Sequence, residues 1–185
     1  MLKLVMATSV AVLSWIAAGS AHSAVTVIGG GLAQACSKAA MNGEDDVKFQ
    51  EVCTLALDTE FMSPRDRAGT YVNRGVLKLR RTSYSAATRD FDQAVRLRPD
   101  MGEAYVNRGA ASIGQKRHAD SLPDINRALE LGVTEPAKAY YNRALAYEGM
   151  DDAKSAYLDY RKAVEIAPEW PAPREELTRF SVSTR

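Results

Sequence analysis

One short phrase occurs three times at a nearly constant interval, and this period restricts the possible folds more than any other feature. It reads TYVNRGV at 70–76, AYVNRGA at 104–110 and AYYNRAL at 139–145. Its asparagines lie 34 and then 35 residues apart, at Asn73, Asn107 and Asn142. A second phrase keeps the same step, at 89–100, 123–134 and 158–169. Two phrases in register predict an array of structural repeats.

Each repeat is predicted to be a pair of helices. In the first repeat, Tyr71, Gly75 and Leu79 recur at helical spacing, and a second apolar stripe begins at Ala87 and includes Phe91. Short polar segments, RTSYS, GQKRH and GMDD, separate the two stripes of the three repeats. The chain is therefore predicted to be all-α and built from helical hairpins.

This pattern resembles the tetratricopeptide repeat. The resemblance covers about residues 66–170, and in the first unit its typical positions are held by Tyr71, Gly75, Ala87, Phe91, Ala94 and Pro99. It implies an α-solenoid whose first helices line a concave face, a non-catalytic role, no cofactor, and a protein or peptide as the partner. The second repeat departs from the pattern at Pro123, so we expect its second helix to start late, with Ser121 as the N-cap.

Four regions are predicted along the chain. They are a signal peptide at 1–24, an N-terminal helix pair at 25–62, three repeats within 63–170 (about 68–101, 102–136 and 137–170), and a capping helix with a tail at 171–185. The capping helix is expected to cover the last apolar stripe of the array, and docking to a partner is the alternative role.

The signal peptide is predicted from a short basic start, an apolar run and a small-residue site. Lys3 precedes the uncharged stretch 4–18, and Ala21 and Ser23 occupy the positions that a signal endopeptidase recognises. The apolar run is short for a membrane span, so export with cleavage is favoured over an anchor. We expect an exported protein in a bacterial periplasm, with no integral membrane segment after cleavage.

Cys36 and Cys53 lie outside the repeats, on the apolar stripes of two predicted helices. The polar turn NGEDD is midway between them, so an antiparallel pair would bring both thiols to similar heights. An even cysteine count in an exported chain supports a disulfide, and two free buried thiols are the alternative.

An arginine and an aspartate recur 16 residues apart in every repeat. The pairs are Arg74 with Asp90, Arg108 with Asp124, and Arg143 with Asp159. A charged side chain at a packed helix position is costly unless it is paired. We therefore predict structural ion pairs that join the two helices of each hairpin.

The three asparagines are candidate partner-binding residues. On the face implied by the resemblance, Asn73, Asn107 and Asn142 would form a ladder of amides able to bond the backbone of an extended peptide. The alternative is that each amide only fixes the stacking of neighbouring repeats. The apolar positions expected to share this groove are Val72, Val106, Tyr141, Val76, Ala110 and Leu145. An apolar groove with a row of amides would suit either a peptide or an amphipathic helix of a partner protein.

A second candidate function is binding of an anionic ligand of the cell envelope by Lys78, Arg80 and Arg81. These cations could instead favour the carboxyl end of a helix. Salt would separate the two functions, because anion binding weakens steeply with ionic strength and apolar docking does not.

Other function classes have little in the sequence to favour them. The chain has 24 basic and 23 acidic residues, and loss of Lys3 leaves no net charge, so nucleic acid is not an expected partner. Neither His22 nor His118 has a visible catalytic companion, and no metal-ligand spacing occurs. The glycines at 29–31 lack a preceding strand and a lysine, so they do not predict a nucleotide loop. We expect no catalytic residue, metal or cofactor.

Overall fold

The computed structural model describes residues 3–6, 21–27 and 31–183. Most of the expected signal peptide, at 1–2 and 7–20, lies outside these residues. The described part contains nine helices, which confirms the all-α prediction. They are α1 Gly31–Met41, α2 Val47–Thr59, α3 Pro64–Arg80, α4 Tyr84–Leu97, α5 Gly102–Gly114, α6 His118–Leu131, α7 Pro136–Glu148, α8 Ala153–Ile166 and α9 Pro171–Leu177.

Consecutive helices pack as antiparallel hairpins, and the three repeats correspond to α3–α4, α5–α6 and α7–α8. Helix α3 begins as its sequence indicates, because the Ser63 hydroxyl accepts the Asp66 N–H and Pro64 occupies the first turn. A short backbone ribbon lies outside the helices. Strand β1, Lys3–Met6, pairs antiparallel with β2, Phe180–Ser183, so that Met6 is opposite Phe180.

A small residue at one position of each first helix lets the two helices of a hairpin approach closely. A Cβ at Gly109 would lie 2.6 Å from Cγ1 of Ile125, and a Cβ at Gly75 would collide with the Phe91 ring. The third hairpin has Ala144 there, which is fully buried. These contacts explain why Gly or Ala follows each repeated arginine.

The turns inside the three hairpins share one backbone conformation. Thr82, Lys116 and Asp151 have φ values of 55°, 60° and 61°. In the first turn, the N–H of Ser83 donates to the carbonyl of Lys78 at 2.9 Å, and the N–H of Thr82 donates to Leu79. This is the Schellman arrangement, which usually has Gly or Asn at the left-handed residue. The sequence did not indicate it, because all three positions hold other residues.

The expected late start of the second helix in repeat two is wrong. Helix α6 begins at His118 and contains Pro123 in its second turn. Proline there leaves the carbonyl of Ala119 without its helical donor, and Ala119 lies at the exposed surface, where water can bond it. Ser121 is buried within the helix and donates its hydroxyl to the carbonyl of His118.

The disulfide between Cys36 and Cys53 is present and joins α1 to α2. Both cysteines are fully buried beside Leu77 of α3, so the N-terminal pair packs on the first repeat. At the other end, α9 covers the last hairpin, and Trp170 lies 5.0 Å from the ring of Tyr141. Glu148 ties this end together by accepting from Tyr160 and Arg179.

Replacing both cysteines with serine should lower the free energy of unfolding by about 3 kcal/mol, because the bond closes a loop of 17 residues. Urea denaturation followed by circular dichroism measures this change. The reduced wild-type chain is the control and should lose a similar amount. An unchanged midpoint in both samples would contradict a stabilising role for the bond.

Candidate peptide-binding groove

The repeated asparagines hold the backbone of an extended segment of the same chain. Asn73 on α3, Asn107 on α5 and Asn142 on α7 are fully buried. Each amide bonds both backbone polar groups of a single residue in the segment 21–27. Asn142 bonds Ala21, Asn107 bonds Ser23 and Asn73 bonds Val25.

The contacts have the same form at all three positions. The backbone N–H groups of Ala21, Ser23 and Val25 donate to Oδ1 at 2.8, 3.1 and 2.8 Å. In return, Nδ2 of the asparagine donates to the carbonyl of the same residue at 2.8, 2.8 and 2.7 Å. Such a two-bond pair imitates the edge of an antiparallel strand. We call the three asparagines the amide ladder.

The ladder matches the period of an extended chain. Successive asparagines bond every second residue, and two residues of an extended chain span roughly 6.6 Å. The segment passes from the third repeat to the first, opposite to the order of the hairpins. Because only backbone groups are bonded, the ladder selects an extended conformation and not a particular sequence.

Side-chain packing adds selectivity for size. Ser23 is 2% exposed and Val27 is 3% exposed, so neither position has space for a larger side chain. A Cβ on Gly69 would lie 3.1 Å from Cγ1 of Val25, which shows how closely α3 approaches the segment. The groove therefore favours small or branched side chains at these positions.

The apolar residues predicted for the groove are mostly buried beneath it. Val72, Val76 and Ala110 belong to a core cluster against which Val25 packs. Tyr141 and Leu145 contribute to the cluster that Ala21 contacts. Val106 packs instead with Ile125 in a separate cluster. Their contribution to binding a partner stays a prediction.

Two residues that the sequence did not single out complete the groove. Ser37 of α1 donates its hydroxyl to the carbonyl of Val25 at 2.9 Å and accepts the N–H of Val27 at 3.4 Å. Lys138 of α7 donates to the carbonyl of His22 at 3.0 Å. Ser37 lies outside the repeats, so the period could not have indicated it.

His22 is held in an environment that disfavours its charged form. Burial, reinforced by the charges of Arg80 and Lys138, lowers the pKa of His22 to about 4. Its Nδ1 has no hydrogen-bond partner among the described residues. The segment thus binds in the groove with a neutral imidazole.

The repeated arginines fix the spacing of the ladder. Arg108 donates Nε and Nη2 to the two carboxylate oxygens of Asp124 at 2.8 and 2.7 Å. The same two-bond pairing joins the other two predicted pairs, Arg74 with Asp90 and Arg143 with Asp159. Each pair connects the first and second helices of one hairpin.

The third nitrogen of each arginine reaches the preceding helix pair. Nη1 donates at 2.8–2.9 Å to Thr54 of α2, Asp92 of α4 and Asn126 of α6, respectively. Each guanidinium therefore joins three helices, within a hairpin and between neighbours. Asp92 and Asn126 lie 34 residues apart, so the repeat period of the sequence could have predicted these two acceptors. Thr54 has no counterpart in the repeats, so the period could not have predicted it.

An aromatic ring completes each arginine site. The guanidinium carbons of Arg74, Arg108 and Arg143 lie 5.5, 5.5 and 5.3 Å from the ring centres of Tyr71, Tyr105 and Tyr140. Hydrogen bonding to Asp124 outweighs partial burial and raises the pKa of Arg108 above its ordinary value. The guanidinium is thus charged at any accessible pH.

The cations proposed for anion binding make contacts within the chain. Lys78 binds Asp90 at 2.6 Å. Arg80 donates to the carbonyls of Ala40 and Glu44, and Arg81 donates to the carbonyl of Asp45. The two arginine contacts dock α3 on the N-terminal pair, whereas the Lys78 contact joins α3 to α4. Anion binding stays a prediction.

In the part of the chain that the structure describes, no group of three His, Cys, Asp or Glu side chains is arranged to hold a metal ion. None of the described helices is long and apolar enough to cross a membrane.

The last hairpin is similar in sequence to a known family of repeats. Residues 137–169 match the tetratricopeptide repeat. A further similarity is to the Hsp70-Hsp90 organizing protein of Triticum aestivum, 33% identical over 85 residues, or 46% of this chain and 14% of that protein. Sperm-associated antigen 1A of Danio rerio is 32% identical over 82 residues, covering 44% and 19%. The chain thus matches less than a fifth of the length of these relatives.

Solved structures share the fold. MamA 41-end from Desulfovibrio magneticus RS-1 aligns with a TM-score of 0.62 and 22% identity, covering 80% of this chain and 82% of that one. The Arabidopsis OM64 TPR domain aligns with a TM-score of 0.59 and 20% identity, covering 63% and 96%. At these identities the likeness establishes the solenoid architecture alone.

Changing Asp124 to Asn should lower the free energy of unfolding by about 1–3 kcal/mol, because Arg108 loses a charged partner in a partly buried site. Urea denaturation measures the change. Asp120→Asn in the same helix is the matched control, since that carboxylate is 65% exposed and should contribute less than about 0.5 kcal/mol. Equal midpoints for the two variants would contradict the structural role of the pair.

Acid should release the segment 21–27 from the groove. The pKa of His22 is lower when the segment is bound than when it is free, so the stabilisation is complete above pH 6.5 and is lost as the pH falls toward 4. Binding of the segment should weaken by about 2 kcal/mol between pH 7 and pH 5. The fraction of bound segment can be followed at each pH by the NMR signal of the Ser23 amide. His22→Gln should remove most of this dependence, and an identical pH profile in that variant would exclude His22 as the cause.

Proposed function

We propose that this protein is a non-catalytic interaction adaptor that holds an extended segment of a partner protein in the groove formed by α3, α5 and α7. The observation that carries the proposal is the amide ladder, which bonds the backbone of alternate residues in an extended chain. Adding a strand through main-chain hydrogen bonds is an established way for proteins to recognise peptides. The match to the tetratricopeptide repeat supports a protein as the partner.

The ladder is placed on a framework that suits this task. Its amides are fully buried on α3, α5 and α7, and each of these helices is tied to two neighbours through an arginine. A rigid groove needs little ordering when a peptide binds, so more of the interaction energy contributes to affinity. The ligand itself must become extended, which favours partners with an unstructured tail or loop.

We further propose that the protein works in the bacterial cell envelope after export. The basic start, apolar run and small-residue site at the N-terminus favour export. The disulfide between Cys36 and Cys53 suits an oxidising compartment such as the periplasm.

Site-specific photocrosslinking tests the adaptor function. A photoreactive residue at position 138 would lie beside the segment in the groove, because Lys138 contacts His22. Position 154 is the matched control, since Lys154 is exposed on the second helix of the same hairpin. The asparagines are unsuitable positions, because they are fully buried and a bulky group would disturb them.

We expect a covalent adduct with one defined protein from position 138 in cells, and none from position 154. A second prediction follows from the geometry: the crosslinked residue of the partner should lie in a segment that is extended in the complex. Adducts from position 154 alone, or from neither position, would contradict the groove as the partner site.

A further inference from the structure

The groove is already occupied by residues 21–27, and this segment includes the predicted cleavage site. Ala21 and Ser23 are the residues that match the signal endopeptidase pattern, and they are bonded to Asn142 and Asn107. The scissile bond would be Ser23–Ala24. Processing would therefore remove Ala21 and Ser23, which are the ligands of two of the three asparagines in the amide ladder.

We propose that the segment 21–27 is an intramolecular ligand that competes with partner peptides for the groove, and that hydrolysis of the Ser23–Ala24 bond opens the site. This inference rests on the proposed function. It also defines the class of ligand, namely an extended peptide with a small side chain opposite Asn107 and a small or branched side chain two residues on.

Cleavage would divide the segment at a defined place. A signal-type endopeptidase adds one water to the Ser23–Ala24 bond, which leaves a carboxylate on Ser23 and an ammonium on Ala24. Residues 21–23 then leave, and Asn107 and Asn142 lose their partners in the segment, although Asn107 still donates to the carbonyl of Glu103. Val25 stays attached, because Asn73 and Ser37 both bond its backbone and Val27 is buried nearby. In the resulting groove, Asn107 and Asn142 can accept another peptide, while residues 25–27 stay bound beside Asn73.

Once residues 21–23 have left, Asn107 and Asn142 would favour binding of another peptide. Asn107 and Asn142 are fully buried when the segment is bound, and without it each amide would lose two hydrogen bonds. Water can enter to satisfy them, but a peptide with the same period of two residues restores both bonds and the apolar contacts. The size restriction follows from Ser23, which is 2% exposed in the groove.

The order of events also follows from burial. A protease must reach the Ser23–Ala24 bond, and Ser23 is enclosed once the segment is bound. Cleavage therefore takes place while the segment is outside the groove, before folding or during a transient release. A chain that folds first keeps its groove closed, because a tethered ligand acts at an effective concentration of about millimolar.

Peptide binding to full-length variants tests the competition. The probe is the capped, fluorescein-labelled peptide Ala-His-Ser-Ala-Val-Thr-Val, which copies residues 21–27. The open variant combines Ser23→Trp with Val25→Asp, because an indole cannot fit at a buried serine and a carboxylate cannot replace a valine packed on the core. Thr26→Trp is the control, since Thr26 is exposed. Circular dichroism and thermal melting establish that all the chains are folded.

Fluorescence anisotropy should show the open variant binding the probe at least about tenfold more tightly than the wild type, with Thr26→Trp equal to the wild type. The processed chain, beginning at Ala24, should also bind more tightly than the full chain. If the double substitution disturbs folding, the comparison of the processed chain with the full chain still tests the competition. Equal affinities of the open variant, the processed chain and the wild type would overturn the competition.

Methylated probes test the ladder without altering the protein. A probe methylated on the nitrogen equivalent to Ser23 loses the donor to Asn107 and should bind at least about tenfold more weakly. Methylation of the nitrogen equivalent to Ala24 is the control, because that N–H has no acceptor among the described residues. Equal loss from both probes would overturn the assignment of the ladder as the recognition element.

The two proposals can fail separately. If position 138 crosslinks a partner but no variant binds the probe, the segment is not a ligand of the groove and the inference fails alone. If the open variant binds the probe but position 138 captures no protein, the segment stands as a ligand of the groove, and the adaptor function fails together with competition against a partner.

Discussion

The structure depends on one interaction, the placement of a guanidinium among three helices. In each repeat an arginine donates two nitrogens to an aspartate of its own hairpin and the third to the preceding helix pair, as Arg108 does to Asp124 and Asp92. Because the guanidinium is planar and its donors are fixed in direction, it sets both the packing of a hairpin and its offset from the neighbour. Repetition of this contact gives the first helices a constant spacing.

That spacing is what makes the groove selective. The amides of Asn73, Asn107 and Asn142 bond every second residue of an extended chain, so they are useful only if their separation matches two residues of a strand. A change in the stacking of the repeats would move the amides out of register with Ala21, Ser23 and Val25 of the bound segment. The arginine contacts and the asparagine contacts are therefore coupled, although the two side chains are adjacent in sequence and point to different partners.

Much of this arrangement could be predicted from local signals in the sequence. The three helical hairpins, the disulfide and the all-α fold were predicted because apolar spacing and cysteine placement are local signals. The predicted late start of α6 at Pro123 was wrong, because a helix tolerates a proline when the carbonyl that loses its donor can bond water. The left-handed turn residue Thr82 was also missed, because the backbone adopts that conformation to close the hairpin whatever side chain is present.

The sequence alone determined the repeat, the hairpins and the pairing of charges, because each depends on residues at fixed separations along the chain. It also identified the asparagines as candidate bonds to an extended backbone. Only the tertiary structure decided what that backbone is, since Ala21 and Asn142 are 121 residues apart and no spacing connects them. Contacts with Ser37 and Thr54 likewise depend on how the N-terminal pair packs on the array, which the repeat period does not describe.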